Sequence, residues 1–276
     1  MMHRVKEMLD ACAHPYYVAR GRRPWSLGYY TAKKRTIENA IDGGLLRNGK
    51  PLPPGYGARL DERVVEYPWV YARLSSHPGA VLDAGSALNH LFLLERPPVS
   101  SAELTICTLS PEKRCYARKG ISYVYDDLRH SRFAPQSFDT IISISTIEHI
   151  GLDNAMLYTD DASKAESDQS GYRAAVREFR RLIRPNRDCF ITVPYGRAAN
   201  HRWFQVFDAR MIENILADFN PSASEIEYFG YSPDGWRCVR AEDLSEATFF
   251  DIHERKEYDA DFAAGARGVA CMRLTA

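Results

Sequence analysis

Between residues 79 and 193, short apolar runs recur with polar or amphipathic stretches between them. The runs at 81–83, 104–108, 121–125, 140–145 and 189–193 are too short for helices and read as buried strands. The stretch 88–94 is apolar and helix-like, and Pro111 is placed to begin another helix, because proline suits a first helical turn. Val176, Phe179, Leu182 and Ile183 recur at helical spacing and predict an amphipathic helix over 172–184, stopped by Pro185. Met211, Ile212, Ile215, Leu216 and Phe219 mark a further helix that closes near Asn220-Pro221. Two more strands are expected at 225–231 and 268–274. The alternation predicts an α/β fold: a Rossmann-like, doubly wound, mostly parallel seven-stranded sheet with helices on both faces. Such sheets take ligands beyond the carboxyl ends of their strands, near the switch in strand order. Asp83, Thr108, Asp126, Asp127 and Ser145 all fall at or just after predicted strand ends and should line one edge.

Two stretches break the pattern. Residues 1–60 form a basic, aromatic N-terminal extension of helical character, set apart from a main domain over 61–276. Arg20, Arg22, Arg23, Lys33, Lys34 and Arg35 interleave with Trp25, Tyr29 and Tyr30. This is either a site for an anionic or sugar-nucleotide ligand or a solvated helix face whose aromatics pack on the core, and the second reading is favoured. Residues 48–55, rich in proline and glycine, read as a loop. Residues 153–171 are polar and follow the fourth strand of the core; they read equally as a lid or as a solvated loop.

Composition narrows the class. Hydrophobic residues make up 45% of the 276 residues and charged residues 26%, an ordinary globular balance. The formal net charge is zero, which argues against a dedicated nucleic-acid binder. The six cysteines (12, 107, 115, 189, 238 and 271) form no CxxC pair and read as small buried thiols in a reducing compartment. No apolar run approaches the roughly 20 residues of a membrane span, and the N-terminus lacks an apolar signal segment, so a cytoplasmic protein with no membrane partner is expected.

The candidate chemistry lies in three landmarks. Val81-Leu82-Asp83-Ala84-Gly85-Ser86-Ala87-Leu88-Asn89 is a strand running into a small-residue turn that lets backbone approach a ligand. Ser137-Phe138-Asp139 leads through a strand to Ser145-Thr146-Ile147-Glu148-His149, and Leu182-Ile183-Arg184-Pro185-Asn186 leads to Thr192-Val193-Pro194. In this order the three resemble the class I S-adenosylmethionine (SAM)-dependent methyltransferases. The resemblance spans about residues 65–220. With Glu66-Tyr67-Pro68-Trp69 and Tyr195-Gly196, the chain also looks like a methyltransferase-like group of bacterial polysaccharide and glycoside gene sets.

The resemblance implies SAM as cofactor. It places Asp83, Gly85, Ser86, Ala87 and Asn89 in the cofactor turn, where Ala87 and Asn89 replace two of the family's glycines and Asn89 can take left-handed backbone. Thr108 stands where the family usually has a ribose-binding acid. Asp126 and Asp127, followed by Leu128 and Arg129, match the acid that meets the adenine amino group, with Asp127 favoured; Ser145 and Thr146 close the pocket. Asp83→Ala should then abolish cofactor binding and leave the fold intact. Asp139 reads as structural. Methyl transfer to a hydroxyl needs a base, and His201 and His149 are the candidates, His201 toward substrate and His149 toward the cofactor pocket. Glu148, Tyr195 and Arg202 are placed to bind or orient an acceptor. A divalent cation on Glu148, Asp160 and Asp161 is the lesser reading, since acidic loops are usually solvated.

The expected function is therefore transfer of a methyl group to a small polar acceptor, above all a sugar or glycoside hydroxyl; a homo-oligomer is compatible with it. A methyltransferase-fold binding or scaffold protein without activity is the alternative, motivated by Thr108 and the irregular turn. An RNA methyltransferase using the basic arm is a third reading, disfavoured by neutral charge and the lack of an Asn-Pro-Pro-Tyr or Asp-Pro-Pro-Tyr motif. A nicotinamide oxidoreductase is disfavoured by the missing G-x-G-x-x-G.

Overall fold

The first half of the sheet is a run of parallel strands: β1 (Ala80–Ala84), β2 (Glu103–Thr108), β3 (Ser122–Tyr125), β4 (Phe138–Ile144) and β5 (Ile183–Pro194). Asp83 lies opposite Ile106 on β2 and Ile142 on β4, Thr108 opposite Tyr125, and Ser143 opposite Ile191. β6 (Ala199–Asn200) and β7 (Gln205–Val206) form a separate antiparallel pair, and β10 (Gly268–Thr275) and β8 (Ala223–Ser232) continue the main order to β3-β2-β1-β4-β5-β10-β8. The second half of β8 pairs antiparallel with β9 (Gly235–Val239), Tyr228 opposite Val239. The chain winds outward from β1 through β2 to β3, then restarts on the other side with β4 and β5. The switch in strand order thus falls between β1 and β4. The computed structural model describes residues 13–47, 51–159 and 161–276; residues 48–50 of the expected loop and Asp160 lie outside them. Among these residues no helix is long and apolar enough to cross a membrane.

Two helices pack on this sheet by the periodicity read from sequence. α6 (Gly171–Leu182) buries Tyr172, Ala175, Val176, Phe179 and Leu182 at three- and four-residue steps. α7 (Ala209–Phe219) buries Ile212, Ile215 and Phe219; Asp208 Oδ1 caps it by accepting from the Met211 N–H at 2.9 Å, and Asn220 ends it in the left-handed region. Arg173 and Arg177 of α6 both reach Asp218 of α7. Asp139 is structural: it accepts from the Ala80 N–H at 3.0 Å and pairs with Arg184 at 2.6 Å.

The other half of the winding departs from expectation. The helix expected over 88–94 is a single turn, α4 (Leu91–Leu94), and no helix begins at Pro111; only a 3-10 turn, Ala117–Lys119, precedes β3. At Pro111 the reason is that residues 109–120 are exposed almost throughout and have no apolar face to bury. A short helix without a packed face is marginal in water.

By compactness the chain falls into two units, one from Leu74–Glu227 and Ala270–Ala276, the other from the chain up to Arg73 and Tyr228–Val269. The second unit carries α1 (13–19 in the described chain), α2 (Tyr29–Asp42) and α3 (Arg63–Arg73). Residues 64–71 of α3 are buried on every side, so it forms that unit's core. Trp236 Nε1 donates to the Leu60 carbonyl at 3.0 Å and Trp25 Nε1 to the Ala264 carbonyl at 2.9 Å. The basic aromatic stretch is engaged in packing. Tyr29 is fully buried and donates to Asp61 at 2.7 Å, and Lys33 pairs with the same carboxylate while lying over the rings of Trp25, Tyr29 and Tyr30.

Candidate cofactor and acceptor site

Asp83 builds the turn after β1. It is fully buried, and its two oxygens accept from the backbone N–H groups of Ala87 (3.1 Å) and Leu88 (2.9 Å). Burial pushes its carboxyl up to about 7, against these two donors, which favour the ionised form. Asp83 therefore shapes the turn from beneath. Asp83→Ala would leave two donors without their acceptor, so the expectation that the fold is untouched does not hold.

Gly85 has φ 109, and a Cβ there would overlap the Thr146 side chain. The turn and the end of β4 are pressed together at the switch point, which only glycine permits. Ser86 takes the left-handed conformation (φ 66), whereas Asn89, expected to take it, does not. Asn89 is instead a buried tie: Nδ2 donates to Glu112 Oε2 (2.8 Å) and the Arg114 carbonyl (3.0 Å), and Oδ1 accepts from the Tyr123 hydroxyl (2.9 Å). Ala87 is half-buried. Ser86 Oγ is buried with no hydrogen-bond partner. A cradle closed to any Cβ beside an unpaired hydroxyl fits a nucleoside cofactor laid on this turn.

Thr108 ends β2 at 4% exposure, and its side chain lies beside the Tyr158 hydroxyl. Burial would raise the Asp126 carboxyl, but the Arg132 N–H and guanidinium hold it below the ordinary range. Burial acts on Asp127 in the same direction and is outweighed by Arg129, whose guanidinium grips both oxygens at 2.7–3.0 Å. Leu128 between them is buried. Ser145 (φ 38) is fixed by its N–H donating to the Thr192 carbonyl and hydroxyl, and Thr146 Oγ1 donates to the Ile144 carbonyl.

Beyond β4, Ile147–His149 form a 3-10 turn in which Glu148 is buried. His149 Nδ1 lies 2.9 Å from the Trp203 carbonyl oxygen. A carbonyl only accepts, so Nδ1 carries the proton and Nε2 is the ring's basic nitrogen. The His149 ring packs on Trp203 (5.0 Å between centroids), and His201 stacks on Phe204 (4.5 Å, 1° between planes). Both candidate bases thus gather around one aromatic pair, which the sequence reading did not single out although Trp203-Phe204 directly follow His201-Arg202. Arg202 is highly exposed and pairs with Asp153 at 3.3 Å; Tyr195 is buried. Asp161 spends its carboxylate on its own turn, accepting from the Ser163 N–H and hydroxyl.

No family model matches the chain, and no curated protein matches it. Among solved structures it is similar to a SAM-dependent methyltransferase from Archaeoglobus fulgidus, with 12% identity over 79% of this chain and 96% of that one, TM-score 0.49. A SAM-dependent methyltransferase from Methanosarcina mazei gives 12% identity over 76% and 97%, TM-score 0.45. The 1,6-didemethyltoxoflavin N1-methyltransferase of Burkholderia thailandensis, solved with S-adenosylhomocysteine, gives 14% over 99% and 89%, TM-score 0.43. The strand order, rather than these likenesses, assigns the architecture. The chain is a Rossmann-like α/β protein whose parallel strands carry a tight, glycine-dependent turn at their switch point.

Proposed function

We propose that the chain is a SAM-dependent methyltransferase acting on a small polar acceptor, with a sugar hydroxyl as the favoured case. The observation that carries this is the turn at the switch point: Gly85 closed against Thr146, held from beneath by Asp83, with the unpaired Ser86 hydroxyl beside it. Bound there, SAM would supply an electrophilic methyl group. The backbone of 85–87 and Ser86 would hold its polar end, Thr108 its ribose and Asp127 its adenine amino group, with Leu128 against the ring and Asn89, Asp126, Ser145 and Thr146 fixing the walls. His149, whose Nδ1 proton is committed to the Trp203 carbonyl, would take the acceptor's proton at Nε2. His201, on the same aromatic pair, is the second candidate, and Glu148, Tyr195 and Arg202 would orient the acceptor.

The test is a comparison of His149→Ala and His201→Ala in turnover and in affinity for S-adenosylhomocysteine. The base's variant should lose about 100-fold or more in turnover while affinity changes little. Equal turnover in both variants and the parent would remove both histidines from proton transfer.

A binding protein without transfer activity is the second reading. It is favoured by Thr108 and Asp127 being engaged by the chain's own Tyr158 and Arg129.

A further inference from the structure

Between β4 and α6 the chain crosses the edge where β2 and β3 end. α5 (Ala155–Tyr158) brings the Tyr158 hydroxyl onto Thr108. Farther on, Glu166 takes the outer edge of the Arg129 guanidinium through two 2.8 Å hydrogen bonds, while the inner edge of the same group holds Asp127. Both ends of the crossing are anchored. Asp153 pairs with Arg202, Asp168 N–H donates to the Gly151 carbonyl at 2.7 Å, and Gln205 Nε2 donates to the Gln169 carbonyl. Between the anchors, residues 161–170 are exposed.

We propose that this segment is an autoinhibitory strap: Tyr158 and Glu166 cover the nucleoside edge, and a nucleoside ligand displaces them. The direction follows from saturation. The Asp127 oxygens already accept from Arg129, which Glu166 pins in place, and the Tyr158 hydroxyl stands beside the Thr108 side chain. A ligand donor reaches these groups by exchange and not by addition. The inference rests on the cofactor reading above.

The probe is S-adenosylhomocysteine, with the full chain and its Tyr158→Phe/Glu166→Gln variant compared by calorimetry and by limited trypsin cleavage after Lys164, which lies exposed in the strap. The double variant should bind about 3- to 10-fold more tightly, and saturating ligand should speed cleavage of the parent at Lys164. Unchanged or weaker binding by the variant, or slower cleavage in the presence of ligand, overturns the strap and leaves the cofactor reading standing. No binding by either protein overturns the cofactor reading, and the strap with it.

Discussion

At the turn after β1, Asp83 and Gly85 act by different physics. Gly85 is fixed by space and by φ, so Gly85→Ala should lower unfolding free energy by about 1–3 kcal/mol, read by urea denaturation, and Gly85→Ala/Thr146→Gly should recover part of the loss. No recovery would mean that φ alone sets the cost. Asp83 is fixed by hydrogen bonding at the expense of burying a charge. Its folded pKa, about 7, lies above the unfolded value, so the folded chain binds the extra proton across that interval. Its contribution to stability is full at and below the unfolded pKa, near 4, and is lost as pH rises to about 7. Asp83→Asn should therefore lose less stability than the parent between about pH 4 and pH 8. An equal or steeper fall, measured by urea titration at both pH values, would contradict the burial account. Gly85 was legible from sequence because a small residue after an apolar strand has few other uses. The exchange of roles between Ser86 and Asn89 was not, because Asn89's partners lie 23, 25 and 34 residues away.

Among elements, those whose burial pattern is local to the segment came through. α6 and α7 fall where the apolar spacing puts them, while the Asp208 cap of α7 emerged only from the structure. Asp208→Ala should cost about 1 kcal/mol (0.5–2) by removing the acceptor for the Met211 N–H, checked by thermal or urea unfolding. No change would show that the helix end is satisfied by other means. The helix expected at Pro111 failed because proline permits a first turn, but the stretch that follows offers nothing to bury. The polar segment after β4 was equally a lid or a loop in sequence. Its anchors, Gly151 carbonyl to Asp168 and Arg129 to Glu166, join residues 17 and 37 positions apart and carry no local signal.

On the scale of the whole molecule, the alternation of short apolar runs was enough for a mostly parallel sheet and for the side on which Asp83, Thr108, Asp126, Asp127 and Ser145 lie. It did not reveal that residues 228–269 join the N-terminal part in one compact unit, since that depends on pairings such as Trp236 with Leu60 across 176 positions. We propose that the edge built by this architecture takes a nucleoside cofactor, and every chemical proposal above depends on it. Calorimetric titration of the full chain with S-adenosylhomocysteine tests that claim most directly. The account predicts saturable one-site binding with a micromolar dissociation constant, weakened by Gly85→Ala. Absence of binding at millimolar ligand would contradict it.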